Sequence, residues 1–202
     1  MTASSETLPQ APAWPEFALL LPPGWRSVDA DEASIAALHE RATAVLKRHG
    51  RPDLDAQLRS QLRAALSSGG GREVVRMYLQ ETDDPEAMTP MSMVAARLRP
   101  PAGASLDAYV GELVQERGAA PLAEGSPVLA WTQGTTATVE GSRVQTLTRN
   151  GLVAVPGTGR RQGMLLSVVV VVAANGAELP EQVVRQLLVL ADAMLATFRW
   201  AA

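Results

Sequence analysis

The chain has no cysteine, two histidines and, with four Trp, two Tyr and two Phe, an aromatic content of only 4%. The missing cysteine removes disulfides, thiolate zinc sites, cysteine nucleophiles and a lipoprotein attachment cysteine together. The shortage of histidine bears on catalysis. His39 and His49 lie ten positions apart on a helical pattern, about 1,000° of rotation, which leaves their rings about 80° apart around the axis. They form no i, i+4 ligand pair and read as ordinary helix-surface residues. A Ser-His-Asp arrangement would have to recruit one of them, and no G-x-S-x-G elbow is present. No strong charge of either sign is present: the formal net charge is −3, which gives no general attraction to nucleic acid or an anionic membrane. The longest apolar run is about half of the roughly 20 residues that a membrane-spanning helix needs. Residues 1–16 lack a basic start and a sustained apolar run, so they do not read as a signal peptide, and a cytoplasmic protein is expected. Pro9, Pro12 and Pro15 make them a flexible lead-in.

What the chain does have is apolar mass. Hydrophobic residues make up 47% of 202 residues, enough for one domain that buries about 70% of its unfolded surface. The densest stretch is Met164–Ala173, with five consecutive valines from Val168 to Val172. Branching at Cβ stiffens χ1 and favours the pleated conformation. The stretch shows no apolar–polar alternation, so both faces of this strand require cover, which puts it in the middle of a sheet between packed layers. After an Asn175-Gly176 turn, a helical pattern runs over Leu179–Trp200. Its stripe is Val184, Leu187, Leu188, Ala191, Leu195 and Phe198, with Arg185, Asp192 and Arg199 on the wet side.

Earlier elements follow from punctuation. Phe17–Leu21 reads as a strand, ended by Pro22-Pro23-Gly24, and Trp25–Val28 as a second. Asp29 and Glu32 fit a capping box that starts a helix near Ala30. Two amphipathic helices, Asp31–His49 and Pro52–Ser67, are expected to pair as a hairpin on the sheet. Glu73–Gln80 and Met91–Arg99 read as strands, and Ser105 as the cap of a helix carrying Leu106, Tyr109, Val110, Leu113 and Val114 on one side. Val128–Thr132, Thr135–Glu140 and Arg143–Val155 are candidate strands. Asn150-Gly151, inside the last, is a hairpin turn or a bulge. Because strands come in neighbouring pairs, the fold class is α+β. The expected form is a single-domain α/β/α sandwich over residues 17–202, with a predominantly antiparallel sheet and helices on both faces.

Clusters that could carry chemistry read mostly as structure. A phosphate cradle needs strand, loop and helix in that order. Ser68–Arg72 lies between a helix and a strand, and Gly157–Gly163 between two strands, so both are turns. Glu81, Asp83, Asp84 and Glu86 lack calcium-loop spacing and read as a solvated loop. No cofactor or metal site is therefore expected. Met88, Met91 and Met93 could form a surface that accepts varied apolar partners, but core filling is the favoured reading. Arg41, Arg48 and Arg59, with other basic residues of the helical pair, suit a solvated face or a docking surface for an acidic protein. No aromatic accompanies them, which argues against nucleic acid. Trp14, on the lead-in, is a candidate anchor for a partner or a dimer.

The opening F-x-x-x-L-P-P-G-W, Phe17–Trp25, precedes the inserted helical pair. The V-x-V-P-G turn at Val153–Gly157, the apolar strand and the final Thr197-Phe198-Arg199-Trp200 close the chain. In these features it resembles a group of actinobacterial proteins whose layout is similar to the PsbP/Mog1-like fold. That fold includes photosystem accessory proteins, a partner of a Ran-type GTPase and chaperones of bacterial secretion effectors. The resemblance implies protein binding without chemistry and transfers no functional residue. The expected function is a non-enzymatic interaction module, adaptor or chaperone-like, expected as a dimer. The alternative is a binding protein for a small apolar molecule between sheet and helices. An enzyme built from scattered Arg, Asp and Tyr side chains ranks last.

Overall fold

Leu166, Val168 and Val170 are completely removed from solvent, and the strand that carries them holds the middle of the sheet. The computed structural model describes residues 14–38, 40, 72–81, 89–100, 104–139, 142–174 and 176–201. In chain order these form β1 (Phe17–Ala18), β2 (Trp25–Asp29), a helix α1 over 32–38, β3 (Arg72–Gln80), β4 (Met91–Leu98) and α2 (Leu106–Arg117). Then come β5 (Ala120–Pro121), β6 (Leu129–Val139), β7 (Ser142–Ala154), β8 (Gly163–Ala174), β9 (Ala177–Glu178), α3 (Glu181–Ala196) and β10 (Arg199–Trp200). The main sheet runs β2-β3-β4-β8-β7-β6-β5, and β1 pairs separately with β10. Every pairing among the described residues is antiparallel.

Alternation along β8 assigns the two faces. Met164, Leu166, Val168 and Val170 join Met93 and Ala95 of β4 and Tyr78 of β3 beneath Leu187, Ala191, Met194 and Leu195 of α3. The intervening Leu165 turns the other way, with Leu98, Leu152 and Trp131, beneath Leu106 and Leu113 of α2. Helices thus pack on both faces of an antiparallel sheet, as the pattern of apolar residues requires. At about 25 cal/mol per Å² of apolar surface removed from water, this two-sided burial is the main stabilising term. α3 is also tied down by charge: Arg149 of β7 donates from Nε to Asp192 Oδ1 at 2.6 Å. Asp192, expected on the wet side, is 43% exposed at its side chain and reaches Arg149 from the margin of the helix.

Local chemistry places the ends. Gly24 adopts φ 77° after Pro23, and Trp25 N–H donates to the Pro22 carbonyl at 3.2 Å, as a type II turn demands. Ser105 caps α2 through Ala108 N–H at 3.2 Å, as expected. Gly118, at φ 64°, ends α2 in the left-handed conformation.

Several expectations are corrected. The cap of α1 is Asp31, which accepts from Ser34 N–H at 2.8 Å; Asp29 belongs to β2 and faces Arg76. The two strands expected between 128 and 140 are one uninterrupted strand of 11 residues, β6, that runs through Gly134. Asn150-Gly151 is neither turn nor bulge: Asn150 opposes Trp131 and Ser167, Gly151 opposes Ala130 and Leu166, and the β7 irregularity lies at Gln145/Thr146. Only Phe17–Ala18 of the first expected strand is paired, with Trp200 and Arg199 rather than with the strand after the turn. The last helix ends at Ala196, and the Thr197 hydroxyl donates to the Met194 carbonyl at 2.7 Å. Of the expected helical pair, 32–38 is helical, and most of the rest lies outside the described residues.

Candidate functional site

One border of the sheet differs from the other. β6 is rich in β-branched residues, Thr132, Thr135, Thr136, Thr138 and Val139, and pairs with β7 along its whole length. On its other side β5 covers only Leu129 and Ala130. Past them, among the described residues, nothing pairs with Trp131–Val139 along that side. All seven residues 132–138 are exposed, so neither face of this half of the strand lies under another layer. The sequence of β6, LAWTQGTTATV, contains no charged residue and no proline.

That composition is unusual for such a place. A long edge presents a row of unpaired N–H and C=O groups, and proteins ordinarily blunt it with lysine, proline, a bulge or a short strand. The opposite border shows those devices. β2 has five residues, with Arg26 paired to Glu81 at 3.4 Å and Asp29 to Arg76 at 2.9 Å. β6 carries none of them. Its backbone can take an added strand from another polypeptide. Inspection for strands free of charge and proline selects this segment together with β8; only the strand order, which the sequence does not show, places one at the border and the other in the middle.

The expected contact residues that are described, Trp14, Met91 and Met93, belong to the core beneath α3 and not to an exposed surface. Met91 and Met93 are 6% and 1% exposed and line the core beneath α3. Trp14 is half-buried against that core, with the Arg97 guanidinium 5.2 Å from its ring centroid. Met88, Arg41, Arg48 and Arg59 lie outside the described residues, as do His39, His49 and most of the acidic loop. No cluster of three or more metal-ligating side chains occurs among the described residues.

Among the described residues, two of the hollows that open to the surface bear on ligand binding. One, of about 240 Å³, is bounded by Trp14, Phe17, Asp29, Arg76, Arg97 and Met164. Both arginines in it are engaged: Arg76 Nε donates to Asp29 Oδ1 at 2.9 Å and lies 5.2 Å from the Phe17 ring, and Arg97 NH1 donates to Glu73 Oε1 at 3.2 Å. Hydrogen bonding to Asp29 raises the Arg76 pKa. The carboxylates and rings thus offset much of this positive charge, while the buried Arg97 Nε is left without a hydrogen-bond partner among the described residues. The other hollow, of about 180 Å³, lies beside α2 and is mainly apolar, with Leu106, Val110, Val128, Leu152 and Ala154 in its wall and Arg160 at its margin. Among the described residues no helix is long and apolar enough to cross a membrane.

No protein-family profile and no curated protein sequence matches the chain. Among solved structures, it is similar to the solution structure of cyanobacterial PsbP (CyanoP) from Synechocystis sp. PCC 6803, with 11% identity over 98% of each chain and a TM-score of 0.32. A likeness of that size carries no argument about what the chain does.

Proposed function

We propose that the chain is a non-enzymatic protein–protein interaction module, an adaptor or chaperone-like protein of the cytoplasm, that takes up an extended polypeptide segment along the open side of β6. The observation that carries this reading is the uncharged, proline-free border from Trp131 to Val139. Added main-chain hydrogen bonds would supply affinity there, and the exposed threonine side chains would set register. The test uses tagged full-length protein recovered from host cells, alongside the Thr132→Lys/Thr136→Lys variant. Both positions are exposed, and because the Thr132 hydroxyl accepts from Arg149 NH1 at 3.3 Å, circular dichroism and urea unfolding check that the variant keeps its fold. The expected result is a polypeptide that accompanies the original chain and is lost from the variant. Equal recovery with both would overturn the reading.

A second reading, a carrier of a small apolar molecule, draws on the hollow beside α2. Its apolar wall and volume of about 180 Å³ fall short of the roughly 300 Å³ at which drug-sized ligand sites begin. Native mass spectrometry of host-purified protein tests it: a bound mass lost on Val110→Trp, at a half-buried position of the wall, supports this reading, and bare protein excludes it.

A further inference from the structure

We infer that the segment taken up by β6 is β6 of a second copy of this chain, so that two sheets join into one across a two-fold axis. The inference rests on the reading of the border as an interaction edge and names its occupant.

The strand suits itself. Antiparallel pairing about a two-fold axis brings each residue opposite a residue of the same strand, and like charges directly opposite would destabilise it. Trp131–Val139 has no charge to oppose. With Thr135 on the axis, Thr132 faces Thr138, Gln133 faces Ala137 and Gly134 faces Thr136. Thr–Thr is a favourable cross-strand pair. Opposed residues then share parity, so like faces of the two sheets stay continuous and the outward N–H and C=O groups meet in register. A partner of marked charge would find nothing complementary here. The pairing also closes. It uses both open borders, and each outer margin that remains is β2, short and lined by the ion pairs Arg26–Glu81 and Asp29–Arg76, so the assembly stops at two copies.

The test is the association state of the purified full chain by sedimentation, for the original protein and for Thr132→Lys/Thr136→Lys. A dimer that becomes a monomer in the variant, with unchanged circular dichroism, is expected. The absence of native cysteine allows a second measurement. Thr135→Cys places two sulfur atoms opposite each other across the axis, where Cα atoms about 4.5–5.5 Å apart meet the roughly 4.4–6.8 Å span of a disulfide. Oxidation should link the copies, whereas a cysteine at exposed Ser27 on β2 should not. A monomeric original protein, or a dimer untouched by the lysines, overturns the inference. If a different polypeptide still depends on this border in host cells, the interaction reading survives that failure; if none does, both fall.

Discussion

Gly151 of β7 lies so close to Leu195 of α3 that a methyl group at position 151 would stand 3.1 Å from Leu195 Cδ2 and 2.9 Å from Val128 Cγ1. Contacts below 3 Å cannot be kept, and Val128 and Leu195 are both fully buried. Gly151→Ala should therefore destabilise the fold by about 1–3 kcal/mol through overpacking, although alanine is ordinarily the better residue in a strand by about 0.5–1 kcal/mol. Urea unfolding measures it. A neutral or stabilising result would mean that α3 can lift from the sheet without loss.

Asn150 is the buried polar residue of the described core, 6% exposed. Its Oδ1 accepts from Ser167 Oγ at 2.8 Å, and its Nδ2 donates to the Thr148 carbonyl at 3.4 Å. Asn150→Ala leaves the Ser167 hydroxyl short of an acceptor in a poorly solvated place, at a cost of about 1–3 kcal/mol. Ser167→Ala strands the amide oxygen similarly. Removal of both partners should cost clearly less than the two losses added together, and a double-mutant cycle reads the coupling. Strict additivity would show that the two side chains act independently.

Tyr78, 3% exposed, has its pKa raised above the ordinary 10.0, chiefly because burial disfavours the phenolate and despite the opposing charge of Arg76. Above pH 10 the unfolded chain gives up this proton before the folded one does, so the folded state binds more protons and stability falls as pH rises. The contribution is intact below pH 10 and fades between that value and the folded-state pKa. Unfolding measured at pH 8 and pH 11 should show a loss that Tyr78→Phe diminishes. The same loss in the variant would assign it to other groups.

Legibility in the sequence followed the range of each interaction. The valine run announced a strand in the middle of the sheet because branching and the lack of alternation act within a few residues, but its cover is one-sided: Val168 and Val170 are buried, whereas Val169, Val171 and Val172 are half-buried. The Ser105 cap was equally local. Asn150-Gly151 misled because its preference for turns was outweighed by distant contacts: Ser167 satisfies the amide, and Leu195 needs the space a side chain would fill. The gap expected between Val128–Thr132 and Thr135–Glu140 does not exist, because Gln133 and Gly134 pair with Thr148 and Leu147 of β7 and the flanking threonines carry the strand through. The final helix looked longer because Phe198 continues its apolar stripe. That ring instead stacks on Phe17 at 5.7 Å and meets Trp200 edge-on at 4.9 Å, partners that no helical period reveals. The border position of β6 was hidden for a related reason, since strand order is set by pairings between remote parts of the chain.

The pairing of β1 with β10 has a practical consequence. The Ala201 N–H donates to the Glu16 carbonyl at 2.7 Å, so residues 185 positions apart in sequence occupy one pole of the molecule. Fluorophores placed at these two positions would report a single location, and their separation would register any fraying of the clasp before the rest of the protein responds. A short peptide could bridge them, with new termini opened in the exposed Gly157–Arg161 turn, and the rearranged gene would still encode every strand pairing described above.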